Sequence, residues 1–134
     1  MMDAPFVEVY DWLIQAIEGR LKIPAFSASQ DIGRKMPVCR VQLLNGNSTN
    51  TFSNARQYQY PFQIDVVDDQ HHLIRSLSNA YKVMALCRQV SVSDYQVELA
   101  SEPSLSSMVD SSTNRILNRQ IIRVSFNVIE DTAF

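Results

Sequence analysis

The sequence predicts an α+β domain in which two helices pack on one face of a mainly antiparallel four-stranded sheet, in the order α-β-β-α-β-β. The main observation is a change of period near the middle of the chain. Over residues 58–67 apolar and polar residues alternate, as in a half-buried strand. From Leu73 onward apolar residues recur every three or four positions, as on one side of a helix. Strand pairs separated by such a helix favour a sheet with both helices on one face.

Length and composition fit a single domain over residues 1–134. Hydrophobic residues make up 46% of the chain, which is enough for one core. The net charge of −2 argues against direct nucleic-acid binding through a strongly cationic surface. No apolar stretch approaches the roughly 20 residues of a membrane helix, and acidic residues stand near the N-terminus where a secretory signal needs positive charge. We therefore expect an intracellular, soluble protein, with Cys39 and Cys87 as buried, reduced thiols.

The first helix is predicted over residues 6–18, with Gly19 as its stop. Its apolar side comprises Phe6, Val9, Tyr10, Leu13, Ile14 and Ile17. A helix does not continue past Pro24, so residues 20–36 are predicted to form an irregular connection. Residues 37–44 alternate and predict the first strand, with Cys39, Val41 and Leu43 on one side and Arg40 and Gln42 on the other.

A polar stretch follows at residues 45–57, and we predict a flexible loop there. It opens on Asn45–Gly46, a strong turn signal, but it is too long for a tight hairpin turn. Long loops in compact domains are often functional. Two interpretations stand: a solvated hairpin tip, or a projecting arm that orders against a partner, with Phe52, Asn54 and Arg56 as its candidate contact residues.

The second half of the chain holds the second helix and two further strands. Asp68 or Asp69 can cap the helix by accepting a backbone N–H of its first turn. Its expected buried stripe comprises Leu73, Ile74, Leu77, Ala80, Tyr81, Met84 and Cys87. Alternation predicts strands over residues 95–100 and 115–130, joined by a Ser-rich connection. The sheet face away from the helices is then polar, with Arg40, Gln42, Gln63, Asp65, Arg119, Arg123 and Asn127.

The sequence contains no pattern typical of a catalytic, metal or cofactor site. His71 and His72 are the only histidines, and neighbouring helix positions point about 100° apart, so the pair does not readily share one ligand. Three glycines in the whole chain exclude a Gly-rich phosphate loop. No serine lies in a G-x-S-x-G elbow. We therefore predict no enzyme, no metal and no cofactor.

Arg115, Arg119 and Arg123 recur every four residues on the last predicted strand, so all three point to one side. They form a cationic row about 26 Å long. One interpretation is a solvated strand face that uses arginine for solubility. A second is a contact row for an acidic neighbouring subunit. A weaker third is nucleic acid, since the net charge is negative and no aromatic residues alternate with the arginines.

The order of these elements resembles the tail completion or tail terminator proteins of long-tailed bacteriophages, also called minor tail or head–tail joining proteins. The resemblance covers most of the chain and lies in the N-terminal helix PFVEVYDWLIQAI, the polar loop, YPFQIDVVDD leading into HHLIRSLSNAYKVMALCR, and the strand NRILNRQIIRVSFNVI. The matching positions near the C-terminus are Asp110, Thr113, Arg119, Ile122, Val124, Phe126 and Val128.

The resemblance implies a structural role and no enzyme. Proteins of this family form a six-fold ring that caps the head-proximal end of the tail tube, stops its polymerisation and meets the head connector. It implies a hexamer, formed before or only during assembly, with a tail tube protein and a head connector protein as partners. The location is then the virion, or the host cytoplasm during assembly. The alternative is a head–tail connector adaptor or another non-enzymatic assembly module.

A ring needs a heterologous interface, in which one patch meets a different patch of the next subunit. The arginine row and the acidic residues of the central strand are candidates for two such complementary patches. On this hypothesis the interface residues are Arg115, Arg119, Arg123, Asp65, Asp68 and Asp69.

Overall fold

The computed structural model describes residues 4–27, 35–45, 47–51, 55–93, 95–111 and 115–131. Within them lie two α-helices and seven strands, with a π-helical turn, Ile17–Leu21, directly after the first helix. The elements are α1 (Pro5–Ala16), β1 (Ala25–Ser27), β2 (Val38–Leu43), β3 (Asn47–Thr51), β4 (Ala55–Asp69), α2 (Leu73–Cys87), β5 (Gln96–Leu99), β6 (Ser104–Asp110) and β7 (Leu117–Asp131). No helix in these ranges is long and apolar enough to cross a membrane.

All seven strands belong to one mixed sheet with the order β1-β2-β4-β7-β5, in which β3 also pairs with β4 and β6 also pairs with β7. β1 runs parallel to β2, and the other pairs are antiparallel. The predicted four-stranded, mainly antiparallel sheet with the order α-β-β-α-β-β is therefore wrong. Three strands lie in segments that were predicted to be connections.

Two long central strands, β4 and β7, carry the sheet, and each supports two shorter strands in succession. β4 and β7 pair along the full length of both strands, so each has one remaining edge. β2 and β3 share the remaining edge of β4, and the N–H of Leu44 between them donates to the carbonyl of Pro61 at 2.8 Å. β5 and β6 share the remaining edge of β7, where the N–H of Ala100 donates to the carbonyl of Ser125 at 2.8 Å.

The missed strands have a common physical reason. β1, β3 and β6 are three, five and seven residues long, and they carry mostly small or polar side chains. Hydrogen bonds from a neighbouring strand hold them extended whatever their side chains are, so alternation does not reveal them. Within the predicted loop, Arg56 is a residue of β4 opposite Glu130, whereas Phe52 and Asn54 lie outside the described residues.

Helix ends also differ from the predictions. Gly19 does not end the first helix, because the chain continues through it as the π-helical turn. The turn ends at Lys22, whose φ of 59° places it in the left-handed region. α2 begins after His72, which takes the N-cap position with no side-chain capping bond, so neither Asp68 nor Asp69 caps the helix.

Both helices cover one face of the sheet, and the main core lies between them and the strands. At its centre Phe62 of β4 and Phe126 of β7 meet edge to face, with ring centroids 5.8 Å apart. The buried residues of α2 are Ser76, Ala80, Val83, Leu86 and Cys87. The predicted stripe was rotated, since Ile74 is 76% exposed and Tyr81 is 71% exposed. Small residues at positions 76 and 80 let this side of the helix approach the sheet.

A smaller apolar cluster lies at one end of the opposite face, which the helices leave uncovered. It consists of Val38, Val67 and Leu117, with Phe26 and Met36 packed against it. Most other residues on that face are polar. We call this side of the sheet the open face.

Candidate functional site

The open face gathers the charged residues that the alternation predicted to share one side of the sheet. Its polar residues come from four strands, because β2, β4, β7 and β6 lie side by side there. The ones used below are Arg40, Gln42, Gln63, Asp65, Asp110, Arg119 and Arg123.

Arg119 lies at the centre of the open face, between two carboxylates of its own chain. Its Nη1 is 2.8 Å from Oδ2 of Asp65, and its Nε and Nη2 are 3.0 and 2.7 Å from Oδ2 of Asp110. The three side chains are only 13%, 15% and 12% exposed. Charged hydrogen bonds of this length are strong when water is largely excluded. This triad connects β4, β7 and β6 through side chains as well as through the backbone.

Gln63 extends the triad toward the next arginine. Its Nε2 donates to Oδ1 of Asp65 at 3.1 Å, and its Oε1 accepts from Nε of Arg123 at 3.3 Å. Arg123 is exposed, so this outer bond faces solvent. Beside it lies a depression of about 270 Å³, lined by Arg40, Gln42, Gln63 and Asp65. The described part of the open face is therefore an ordered polar surface that carries Arg123 as an exposed cation at its margin.

Asp68 points to the helix-covered side and is fully buried, where it anchors α2 to the sheet. Nε and Nη2 of Arg75 donate to its two oxygens, each at 2.6 Å, and the backbone N–H of Asp69 donates to Oδ1 at 2.8 Å. The hydrogen bond to Asp68 raises the pKa of Arg75 above its ordinary value. A buried carboxylate is tolerated when a cation and further donors satisfy it.

Arg115 and Asp69 form a second ion pair nearby, with Nη2 and Oδ1 2.6 Å apart. Asn118 supports the same turn, since its Nδ2 donates to the backbone carbonyls of Asp69 and Gln70 at 2.9 and 3.1 Å. Each acidic residue proposed as an interface patch thus has an arginine partner within the chain. Two of the three arginines expected to meet a neighbouring subunit, Arg115 and Arg119, therefore pair with carboxylates of their own subunit.

One group of potential metal ligands lies at this turn. Ligand atoms of Asp68, Asp69 and His72 lie within 4.8 Å of one another. Guanidinium groups of Arg75 and Arg115 already neutralise the two carboxylates. An adjoining open depression of about 440 Å³ is lined by Asp69, Gln70, His71, His72, Arg115 and Ile116. These contacts explain the cluster as an anchor of α2.

A buried polar pair between α2 and β7 escaped the sequence analysis. Nε2 of Gln120 donates to Oγ of Ser76 at 3.1 Å, and that hydroxyl donates to the carbonyl of Leu73 at 2.7 Å. Oε1 of Gln120 is fully buried and has no hydrogen-bond partner among the described residues. The sequence does hint at this pair, because Gln120 alternates in step with Ile122, Val124 and Phe126 and so falls on the apolar side of β7.

Replacement of Gln120 by methionine should lower the free energy of unfolding by less than about 1 kcal/mol, or should raise it. The reason is that the change removes an unsatisfied buried acceptor and keeps the volume. Glutamate at the same position places a carboxylate there without a cation and should destabilise strongly. Urea unfolding of the two variants at pH 7 measures both. Equal losses in the two would contradict this account.

One edge of the sheet exposes apolar side chains, which the sequence did not predict. Leu105 is 43%, Met108 45% and Val109 64% exposed on β6, and Ile116 just before β7 is 49% exposed. β6 lies at the sheet edge, and α2 packs over β4 and β7 without covering it. The reason it was missed is that residues 104–110 were predicted to belong to a connection.

No protein-family model and no curated protein matches this chain. Solved structures do match it. One of them is a protein whose name describes no function; it shares 17% sequence identity, the match covers 89% of this chain and 94% of that chain, and the TM-score is 0.54. At this identity the likeness concerns the fold alone.

Proposed function

We propose that this protein is a structural, non-enzymatic assembly subunit of a long-tailed bacteriophage. In this role it forms a ring, a hexamer by the family resemblance, that caps the head-proximal end of the tail tube and joins the tail to the head. The tail tube protein and the head connector protein are its partners, and the virion is its location. The observation that carries the proposal beyond the sequence resemblance is the open face, a polar surface spanning several strands that neither of the two described helices covers.

The order of the open face supports a contact role. The triad of Arg119, Asp65 and Asp110 holds three strands in a fixed relation. A surface whose polar groups are held in place before binding loses less conformational entropy when a partner docks. The charged groups within the triad satisfy one another, and Arg123, which is exposed and bonded only weakly to Gln63, is a cation of the described residues that can face a neighbouring acidic surface at this margin.

The polar character of the open face also fits assembly better than catalysis. Among the described residues, the depression on the open face is lined by Arg40, Asp65 and two glutamines, and the one at the turn before α2 includes Asp69, Arg115 and two exposed histidines. Asp65 and Asp69 accept hydrogen bonds from arginines of the same chain, whereas a general base must reach a proton of the substrate.

Replacing Arg123 by glutamate should weaken ring formation on purified tail tubes at least tenfold while the monomer stays folded, because the side chain is exposed and its one charge reverses at the contact. Lys82→Glu is the matched control: the same charge change at an exposed residue of α2, on the opposite side of the molecule. Native mass measurement with and without tubes, followed by negative-stain imaging of tube ends, records the result.

Rings on tube ends with the unchanged protein and with Lys82→Glu, but few with Arg123→Glu, support both the role and the surface. Normal rings with Arg123→Glu would reject the open-face margin as the contact. A protein that never associates with tubes would reject the tail-completion role itself. Arg119 is unsuited to this test, because its replacement disrupts ion pairs within the fold.

A further inference from the structure

We propose that two copies of this chain pair through β6, antiparallel and about a two-fold axis at Ser107, so that the two sheets become continuous. This contact is separate from the proposed ring, which needs heterologous contacts between unlike patches. It concerns the protein in free solution, where it covers an apolar edge before any assembly partner is present.

β6 is an unprotected edge strand. It pairs with β7 alone among the described strands, so its other side faces solvent. Natural edge strands are usually protected by lysine, proline, a bulge or a covering element. β6 contains no lysine or proline, and its one charged residue, Asp110, is bound to Arg119. An edge of this kind is a template for strand addition.

The sequence of β6 is also complementary to itself. Side chains alternate between the two faces of a sheet. If the helix-covered faces of both copies lie on the same side of the continuous sheet, odd-numbered residues pair with odd-numbered ones and even with even. With the axis at Ser107, Leu105 of one copy lies opposite Val109 of the other on the helix-covered side. On the open side Ser106 lies opposite Met108, a small residue beside a large one. Cross-strand pairs of this kind stabilise antiparallel sheets.

Neighbouring registers lack this match. An axis at Ser106 places Leu105 opposite a serine, and an axis at Met108 places Val109 opposite a serine. In the Ser107 register Asp110 lies opposite Ser104, so no like charges face each other across the new pair. The occupant that the edge fits best is therefore a second copy of the same strand.

The register predicts a specific cross-link. In an antiparallel pair, directly opposite residues have Cα atoms about 4.5–5.5 Å apart, within the range that a disulfide bridges. Ser107→Cys should therefore join two chains covalently under mild oxidation. Ser106→Cys is the matched control, because its two copies lie two residues out of register and about 8 Å apart. Both positions are exposed, and the native Cys39 and Cys87 are buried.

The experiment measures the rate of covalent dimer formation in the full chain, together with native mass over a range of concentrations. We expect Ser107→Cys to cross-link at least tenfold faster than Ser106→Cys, and Val109→Lys to weaken the dimer of the otherwise unchanged chain at least tenfold. A monomer at every concentration, or equal cross-linking of the two cysteine variants, would overturn the proposal. Rings of Val109→Lys on tail tubes would leave the proposed function standing, because the edge pair and the ring are separate contacts.

Discussion

Replacing Arg119 by alanine is expected to lower the free energy of unfolding by about 3–5 kcal/mol, the usual loss when one member of a buried ion pair is removed. The Arg119 side chain is 13% exposed, and its removal takes away the cation that bridges Asp65 and Asp110 in a poorly solvated site, leaving Arg40 opposite Asp65 as the nearest cation on β2. Both repulsion and the lost hydrogen bonds then oppose folding. Urea unfolding at pH 7 measures the change.

A matched variant separates the loss of the cation from the loss of packing. In Arg119→Met combined with Asp65→Asn and Asp110→Asn, the three charges of the triad are removed together, so a large part of the lost stability should return. A single Arg119→Ala variant that loses less than about 1 kcal/mol would show that the triad contributes little, as exposed ion pairs do.

Alkaline pH is expected to destabilise the protein through its two buried thiols. Burial, with a smaller effect of Asp65, raises the pKa of Cys39 to about 12; burial also raises the pKa of Cys87 to about 12, against a smaller opposing effect of Arg88. In the unfolded chain the pKa of a thiol is about 8.5. Above that pH the unfolded chain releases protons that the folded chain retains, so the stability present below about pH 8.5 is lost as the pH rises toward 12.

The slope should approach about 1.4 kcal/mol per pH unit for each thiol, which gives about 5 kcal/mol between pH 9 and 11 for the two together. Burial also raises the pKa of Tyr60 to about 12, and this adds to the loss above pH 10. The control is Cys39→Ala with Cys87→Ala, which should be less stable at pH 7 but much flatter between pH 8.5 and 10. An equally steep fall in that variant would refute the role of the thiols.

The sequence predicted the elements whose side-chain pattern is strong. The helix over residues 73–88 is present as α2, and the strands predicted over residues 37–44 and 115–130 are present as β2 and β7. These segments bury one side, so burial imposes a period that can be read directly. The period did not determine which side of α2 faces the sheet, because Ile74 and Tyr81 fit an apolar stripe as well as Ala80 and Val83 do.

The side-chain pattern did not predict which strands pair or which charged residues form ion pairs. The spacing of Arg115, Arg119 and Arg123 placed them on one side of a strand, but the partner of each depends on which strand lies beside β7 and in what register. Arg119 meets Asp110 because β6 pairs with β7, and β6 itself was predicted to be part of a connection. The missed strand thus concealed one of the two carboxylate partners of Arg119.

The sequence by itself determined which segments bury an apolar side, and with them both helices, the long strands and the polar character of the open face. The tertiary structure alone decided the seven-stranded mixed sheet, the intramolecular pairing of the arginines and the exposed edge at β6. The physical reason is one of range. Burial acts on each residue and leaves a local period, whereas strand pairing and ion pairing join residues far apart in the chain and leave none.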